Sequence, residues 1–261
     1  MRVGIFDSGI GGLSVLHRAV QVMPDVDFVY YADEAHVPYG EKEQEEIRKY
    51  ITESIAFLLE KQAEVIVIAC NTATSAATKE YRSKFPVPII GMEPAVKQAA
   101  EQYSGLPGRI LVAATPLTIF GNKLHDLLER VDPEDNVDLV ALPNLVRIAE
   151  KGDFDEEEIL AYMREALQGY RLADYKALVL GCTHFNYFKP YYKKLFPDGI
   201  KFVDGTEGTL RQLMRTLKVQ AEERAERTGK TEYYFSGRLV TAEEEKKIKR
   251  YMLRLDHAES V

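Results

Sequence analysis

Hydrophobic and polar positions alternate along this chain in two regular ways. Short apolar runs rich in Val, Ile and Leu recur from one end to the other, and longer amphipathic stretches separate them. In the clearest amphipathic stretch, at about 41–62, Ile51, Ile55 and Leu58 recur at steps of four and three residues beside a charged face. Strands that alternate with helices in this way predict an α/β fold with mainly parallel sheets.

The apolar runs and the amphipathic stretches give an element order. Strands are predicted over 2–6, 64–69, 87–91, 109–114, 137–142, 176–181 and 200–203, with a late strand in TEYYFSG. Helices are predicted over about 12–23, 41–62, 72–84, 94–103, 117–130, 156–170, 185–195, 206–228 and 241–254. No long Pro or Ser linker marks a domain boundary, so the boundary has to be argued from internal symmetry.

Two similar segments each carry one of the two cysteines. VIVIACNTAT contains Cys70 and ALVLGCTHFN contains Cys182, and they lie about one domain's length apart. In each segment an apolar strand leads into the cysteine and then into a helix. A duplicated unit of this kind places both thiols at the carboxyl ends of sheet strands, where open α/β sheets bind ligands.

Composition and charge exclude several classes of protein. The chain has 34 Lys and Arg against 41 Asp and Glu, and its net charge of −7 is opposite in sign to that of a typical nucleic-acid binder. No apolar run approaches the roughly 20 residues of a membrane span. The first residues lack the pattern of a secretory signal, so we expect a cytoplasmic protein whose two cysteines are free.

The cysteines are the first candidates for chemistry. A single cysteine is more often a small buried apolar residue, but such a residue is expected within a strand. Cys70 and Cys182 each stand where a strand ends and a helix begins, and there the helix dipole is expected to lower the thiol pKa towards neutrality. This junction favours a functional pair.

Asp7 and His184 are the second candidates. Asp7 ends the first strand before a glycine-rich turn, where an ordinary helix cap is the simpler explanation. The turn matches neither a dinucleotide fingerprint nor a Walker motif, and its backbone N–H groups suit a carboxylate better than a pyrophosphate. His184 lies two residues after Cys182, where it can orient that thiol or titrate with it.

Two thiols on opposite sides of a pocket suit racemisation at an α-carbon. One thiolate can remove a proton from one face while the opposite thiol delivers a proton to the other. Asp7 could assist one thiol and His184 the other. The histidines show no metal-ligand spacing, and no lysine motif or phosphate cradle suggests pyridoxal phosphate or a nucleotide. We therefore expect neither a metal nor a cofactor.

Four motifs, in order along nearly the whole chain, resemble the glutamate racemase family. They are FDSGIGG at 6–12, YADEAHVPYG at 31–40, ACNTAT at 69–74 and LGCTHF at 180–185. The resemblance implies two pseudo-symmetric, doubly wound α/β domains with the active site in the cleft between them. The first domain is placed at 1–93 plus 209–261 and the second at 94–208.

The resemblance also implies roles for individual residues. Cys70 and Cys182 are expected to be the catalytic acid and base, with Asp7 supporting Cys70, and with His184 and Glu150 supporting Cys182. Substrate binding is expected to involve Asp7, Ser8, Tyr39, Gly40, Asn71, Thr72, Thr115, Thr118, Thr183 and His184. The implied reaction interconverts L- and D-glutamate and supplies D-glutamate for peptidoglycan synthesis. A homodimer is one option for its assembly.

Three positions depart from the family pattern. They are Pro116, Asn186 and Gly205, all on the rim of the second lobe, and they bear on the substrate side chain more than on the two-thiol chemistry. The alternatives are a racemase of aspartate or a related amino acid, and a catalytically silent amino-acid-binding regulator. A thiol hydrolase built on Cys182 and His184 would leave Cys70 without a role.

Overall fold

Strands and helices alternate along the chain in a computed structural model that describes residues 1–92, 94–103, 107–132, 135–221 and 226–260. The strands are β1 (Arg2–Asp7), β2 (Asp27–Ala32), β3 (Val65–Ile68), β4 (Ile89–Gly91), β5 (Arg109–Ala114), β6 (Val137–Ala141), β7 (Tyr175–Leu180), β8 (Lys201–Val203), β9 (Thr231–Phe235) and β10 (Arg238–Leu239). The helices are α1 (Leu13–Val22), α2 (Gln44–Glu60), α3 (Asn71–Ala76), α4 (Lys79–Arg82), α5 (Ala95–Tyr103), α6 (Pro116–Ile119), α7 (Asn122–Val131), α8 (Pro143–Lys151), α9 (Glu156–Leu167), α10 (Lys189–Leu195), α11 (Thr206–Leu217) and α12 (Ala242–Ser260). Short 3₁₀ turns cover Tyr39–Glu41, Leu172–Asp174 and Thr183–Phe188.

The first sheet combines strands from both ends of the chain. Within the described ranges its order is β10-β9-β2-β1-β3-β4, and every pair is parallel except β9 with β10. Because parallel strands end at the same edge, Asp7 on β1, Asp33 after β2 and Cys70 after β3 lie along one side of this sheet.

The second sheet is built from the middle of the chain. Its order is β6-β5-β7-β8, and all of its pairs are parallel. Thr115 directly follows β5 and Cys182 follows β7 after one intervening glycine, so both lie at the carboxyl edge of this sheet. The predicted α/β class with mainly parallel sheets is confirmed.

Helices α1 and α12 and the turn Thr183–Phe188 join the two sheets. One apolar cluster contains residues of both, among them Ile5 and Val67 of the first sheet and Leu111 and Leu178 of the second. Arg254 of α12 donates to the carbonyl of Tyr187 in the turn, at 3.3 Å. The two lobes therefore share a packed interface, which fixes the positions of their carboxyl edges relative to each other.

Several elements differ from the sequence prediction. Strand β2 and helix α8 were not predicted, and the helix predicted over 72–84 is two short helices. The helix predicted over 206–228 ends at Leu217, because Lys218 adopts a left-handed conformation that closes it, and residues 222–225 lie outside the described residues. Residue 93 also lies outside them, and the domain boundaries at 93/94 and 208/209 stay predictions.

Candidate active site

Cys70 lies at the junction between β3 and α3, where its side chain caps the helix. The backbone N–H of Ala73 donates to its Sγ at 3.3 Å, and the hydroxyl of Ser8 donates to the same sulfur. The residue is only 6% exposed. Burial, together with the negative charge of Asp7, raises the pKa of Cys70 to about 12. The prediction that the helix dipole lowers this pKa is therefore wrong for Cys70, because desolvation outweighs the helix terminus.

Cys182 is also buried, at 8% exposure, but its environment is different. Its Sγ lies 3.6 Å from Nδ1 of His184, which is itself buried. Burial disfavours the charged imidazolium, yet the hydrogen bonds to Cys182 and Glu150 outweigh it, and the pKa of His184 lies well above its ordinary value. Cys182 therefore faces a buried imidazole whose other ring nitrogen contacts Glu150.

Glu150 connects the two lobes behind His184. Its Oε1 lies 2.6 Å from Nε2 of His184 and accepts the backbone N–H of Ile10 at 2.9 Å. This approach requires a glycine at position 9, because a Cβ atom there would overlap the carboxylate of Glu150. A Cβ atom at Gly11 would likewise overlap the ring of His184. The glycine-rich turn after β1 is thus shaped to admit the His184 side of the site.

Asp7 is fully buried at the start of the same turn. Its Oδ2 accepts the backbone N–H of Gly9 at 2.9 Å, and its Oδ1 accepts the hydroxyl of Thr183 at 3.2 Å. Burial raises the pKa of Asp7 against the opposing influence of His184. The N–H groups of Gly9 and Ile10, which the sequence suggested for a ligand carboxylate, are therefore used by the protein's own Asp7 and Glu150.

A cluster of hydroxyl groups joins α3 to the second lobe. Oγ1 of Thr115 lies 3.2 Å from Oγ1 of Thr72 and 3.2 Å from Oγ1 of Thr118. Thr115 also faces the backbone of Gly40, where a Cβ atom would come within 2.8 Å of the threonine Cβ. These hydroxyls can turn to donate to a carboxylate, and they stand where the first lobe meets the second.

Comparisons with known proteins agree with this geometry. The family model for Asp/Glu/Hydantoin racemase matches residues 9–213. The chain belongs to this family. Glutamate racemases of Lachnospira eligens and Campylobacter curvus are each 47% identical to it, over 100% and 98% of both chains respectively.

Solved structures of the family have the same overall fold. The glutamate racemase of Campylobacter jejuni superposes with a TM-score of 0.79 at 28% identity, and the match covers 97% of this chain and 98% of that one. The Escherichia coli glutamate racemase, solved with L-glutamate and the activator UDP-MurNAc-ala, gives a TM-score of 0.78 at 27% identity, with 96% and 94% covered. The overall fold is thus shared with these family members.

The remaining residues that the family resemblance suggested are found close to these groups. Asn71 is the first residue of α3, directly after Cys70, and Tyr39 is buried with its hydroxyl donated to Asp33 at 2.6 Å. Among the departures, Pro116 starts α6, Asn186 donates to the carbonyl of Thr183 at 3.3 Å, and Gly205 precedes α11. The structure brings these residues to the two carboxyl edges, and their roles stay predictions.

Sequence reasoning missed Asp33, which is buried at the carboxyl end of β2. It accepts the hydroxyl of Tyr39 and contacts the ring of His36 at 2.8 Å, and so it fixes the loop that carries Tyr39 and Gly40. The signal was present in the sequence, because Asp33 follows the run DFVYYA just as Asp7 follows its own strand. The described residues contain no cluster of His, Cys, Asp and Glu suited to a metal ion, and no helix among them is long and apolar enough to cross a membrane.

Proposed function

We propose that this protein racemises glutamate through Cys70 and Cys182, without a cofactor. The observation that carries the proposal is the pair of buried thiols at the carboxyl ends of β3 and β7, each with a different polar partner. Full-length identity to proteins named glutamate racemase supports glutamate as the substrate. The D-glutamate formed would serve peptidoglycan synthesis.

In the proposed reaction one cysteine takes a proton from the α-carbon, and the other cysteine gives a proton to the opposite face of that carbon. Cys182, as a thiolate beside the His184 imidazolium, takes the α-proton of glutamate and leaves a carbanion whose charge spreads into the α-carboxylate. The Cys70 thiol donates its proton to the other face of the α-carbon and becomes a thiolate. The reverse reaction begins from that state, with Cys70 as base and Cys182 as acid, so the charges balance in both directions.

The surrounding polar groups can bind the substrate. The hydroxyls of Thr72, Thr115 and Thr118 are suited to donate hydrogen bonds to the two carboxylates, and those of Ser8 and Thr183, which donate to Cys70 and Asp7, can rotate to do the same. Tyr39, Gly40 and Asn71 complete the proposed binding set, and the negative Asp7 can attract the ammonium group.

A polarimetric assay with L-glutamate and no added cofactor tests the reaction. We expect the optical signal to decay to zero as D-glutamate accumulates. Parallel assays with L-aspartate separate the proposal from the aspartate alternative, which the glutamate racemase relatives disfavour. If the protein binds glutamate but the optical rotation of the solution stays constant, the catalytically silent regulator is the correct alternative.

Isotope incorporation tests the use of two bases. In heavy water at early conversion, we expect the product enantiomer to carry deuterium almost completely and the recovered substrate to carry little. A single base would return some of the abstracted proton to the opposite face. Substantial protium in early product, measured by mass spectrometry of separated enantiomers, contradicts the two-thiol mechanism.

We also propose a cytoplasmic location and a homodimer. The two free cysteines fit a reducing compartment, which supports the first proposal. Cell fractionation tests the location. Sedimentation equilibrium tests the assembly, and a monomer mass at micromolar concentration would contradict the homodimer.

A further inference from the structure

The last turn of α8 holds Glu150 in position opposite His184. Glu150 is the next-to-last residue of this helix, and Gly152 closes it in a left-handed conformation with φ of 78°. A helix end leaves its last carbonyl groups without partners inside the helix. The backbone N–H of Gly152 donates to the carbonyls of Ile148 and Ala149, and further donors to the carbonyls of this turn come from outside the helix.

Two side chains of α12 contact these carbonyls. The hydroxyl of Tyr251 donates to the carbonyl of Ala149 at 2.5 Å, and Nζ of Lys247 donates to the carbonyl of Glu150 at 3.1 Å. Tyr251 and Lys247 are four residues apart and so share one face of α12. Gly152 leaves room for this contact, since a Cβ atom there would lie 2.9 Å from the Tyr251 hydroxyl.

The contact is tightly packed. Tyr251 is buried, and its ring lies 5.2 Å from the ring of Tyr187, which belongs to the same turn as His184. One tyrosine thus touches both the helix that carries Glu150 and the turn that carries His184. Movement of α12 would change the 2.6 Å approach between Glu150 and His184.

We propose that Tyr251 and Lys247 are positioning residues for the Cys182 side of the reaction, acting through Glu150 and His184. This inference rests on the proposed function for its kinetic consequences, but its structural part concerns only the Glu150–His184 contact. Groups that hold a histidine's orienting carboxylate commonly affect activity without touching substrate.

The charged groups around the Glu150–His184 contact determine the pH at which His184 loses its proton. His184 faces Cys182, Glu150 and Asp7, and Lys247 faces the carboxylate of Glu34. When Glu150 shifts away, the imidazolium loses a close negative charge, so His184 releases its proton at lower pH. A side chain that only stabilises the fold would leave this titration unchanged.

The experiment compares Tyr251→Phe and Lys247→Met with Tyr170→Phe. Tyr170 is a matched control, because its hydroxyl also donates to a backbone carbonyl, that of Leu139, at 2.6 Å in the same lobe. The first readout is the His184 titration followed by NMR, which does not require activity. We expect its midpoint to fall in both α12 variants and to stay at the wild-type value in Tyr170→Phe.

The second readout is the pH dependence of kcat/KM. We expect about a tenfold loss in each α12 variant, in line with small misplacements of catalytic groups, and an alkaline limb displaced to lower pH. Lys247→Arg, which keeps a donor, should restore most of the activity. If Tyr251→Phe does not fold, the comparison of Lys247→Met with Lys247→Arg still tests the positioning role.

Two results distinguish a failure of the proposed function from a failure of the proposed positioning role. A wild-type protein without racemase activity contradicts the proposed function, while a lowered His184 midpoint in the α12 variants would still support positioning. An unchanged His184 midpoint in Lys247→Met and Tyr251→Phe, whatever their activity, overturns the positioning role.

Discussion

The surroundings of Cys70 and Cys182 differ although their sequence segments are alike. Cys70 is bound within the first lobe, by the N–H of Ala73 and the hydroxyl of Ser8, and the pKa of its thiol is raised to about 12. Cys182 is next to His184, and Glu150 beyond it contacts the first lobe through Ile10. Repeated strand-cysteine-helix units can therefore place their two thiols beside different polar partners.

This contrast suits a reaction that needs an acid and a base at the same pH. Two thiols in identical environments would both be protonated or both be ionised over most of the pH range. Asp7 disfavours a negative charge on Cys70, whereas Cys182 contacts the imidazole of His184, whose own pKa is raised.

The largest effect is expected from removing either thiol. Cys70→Ser and Cys182→Ser should each lower kcat roughly 10²–10⁴-fold, because an alcohol is a far weaker acid than a thiol. Circular dichroism should remain that of the wild type, since the change in volume is small. Near-normal turnover of either variant would make that cysteine structural.

A smaller effect, different for the two sides, is expected from His184→Asn and Asp7→Asn. His184→Asn removes the cation beside Cys182, while Asp7→Asn removes the negative charge that raises the pKa of Cys70. We expect the two directions to lose unequal amounts of kcat, with the larger loss in opposite directions for the two variants. Enantiomers have equal free energies in water, so kcat/KM must stay equal for L- and D-glutamate. Equal kcat losses in both variants would contradict the assigned partners.

The approach of Glu150 to the glycine-rich turn gives a third prediction. Gly9→Ala should lower kcat/KM by about tenfold or more, because the new methyl group displaces the Glu150 carboxylate. Gly169→Ala is the matched control, since nothing lies within 4 Å of its Cβ position. The His184 titration should shift only in Gly9→Ala, and equal behaviour of the two variants would show that Glu150 accommodates the methyl.

The sequence predicted the residues at strand ends better than the contacts between distant parts of the chain. Cys70, Cys182 and Asp7 follow strands, so a local pattern is enough to find them. Asp33 was missed because its strand, β2, was not predicted, although its pattern is equally local. The bonds from α12 to α8 join residues 97 and 102 positions apart, and no local pattern encodes them. The raised pKa of Cys70 also depends on burial by both lobes, which the helix dipole argument could not include.

The smallest effect concerns Glu34, a partly buried carboxylate near Glu150 on the Cys182 side. Burial raises the pKa of Glu34 to about 6, while Lys247 lowers it and Glu150 raises it. An acid whose pKa is higher in the folded chain than in the unfolded chain binds its proton more tightly when folded. Its contribution therefore favours the fold at low pH, and this contribution is lost as pH rises from about 4.5 to 6.

Glu34→Gln removes the loss of stability at higher pH, because glutamine stays neutral at every pH. After allowance for solvent screening the difference is about 1 kcal/mol, or about 2 °C in Tm for a chain of this size. The Tm of Glu34→Gln relative to the wild type should rise between about pH 4.5 and 6.5. Above that range the difference should stay level, because Glu34 is then ionised in both the folded and the unfolded wild-type chain. Differential scanning calorimetry at several pH values measures this directly. A Tm difference independent of pH would mean that Glu34 keeps the ordinary pKa of a glutamate in the folded chain.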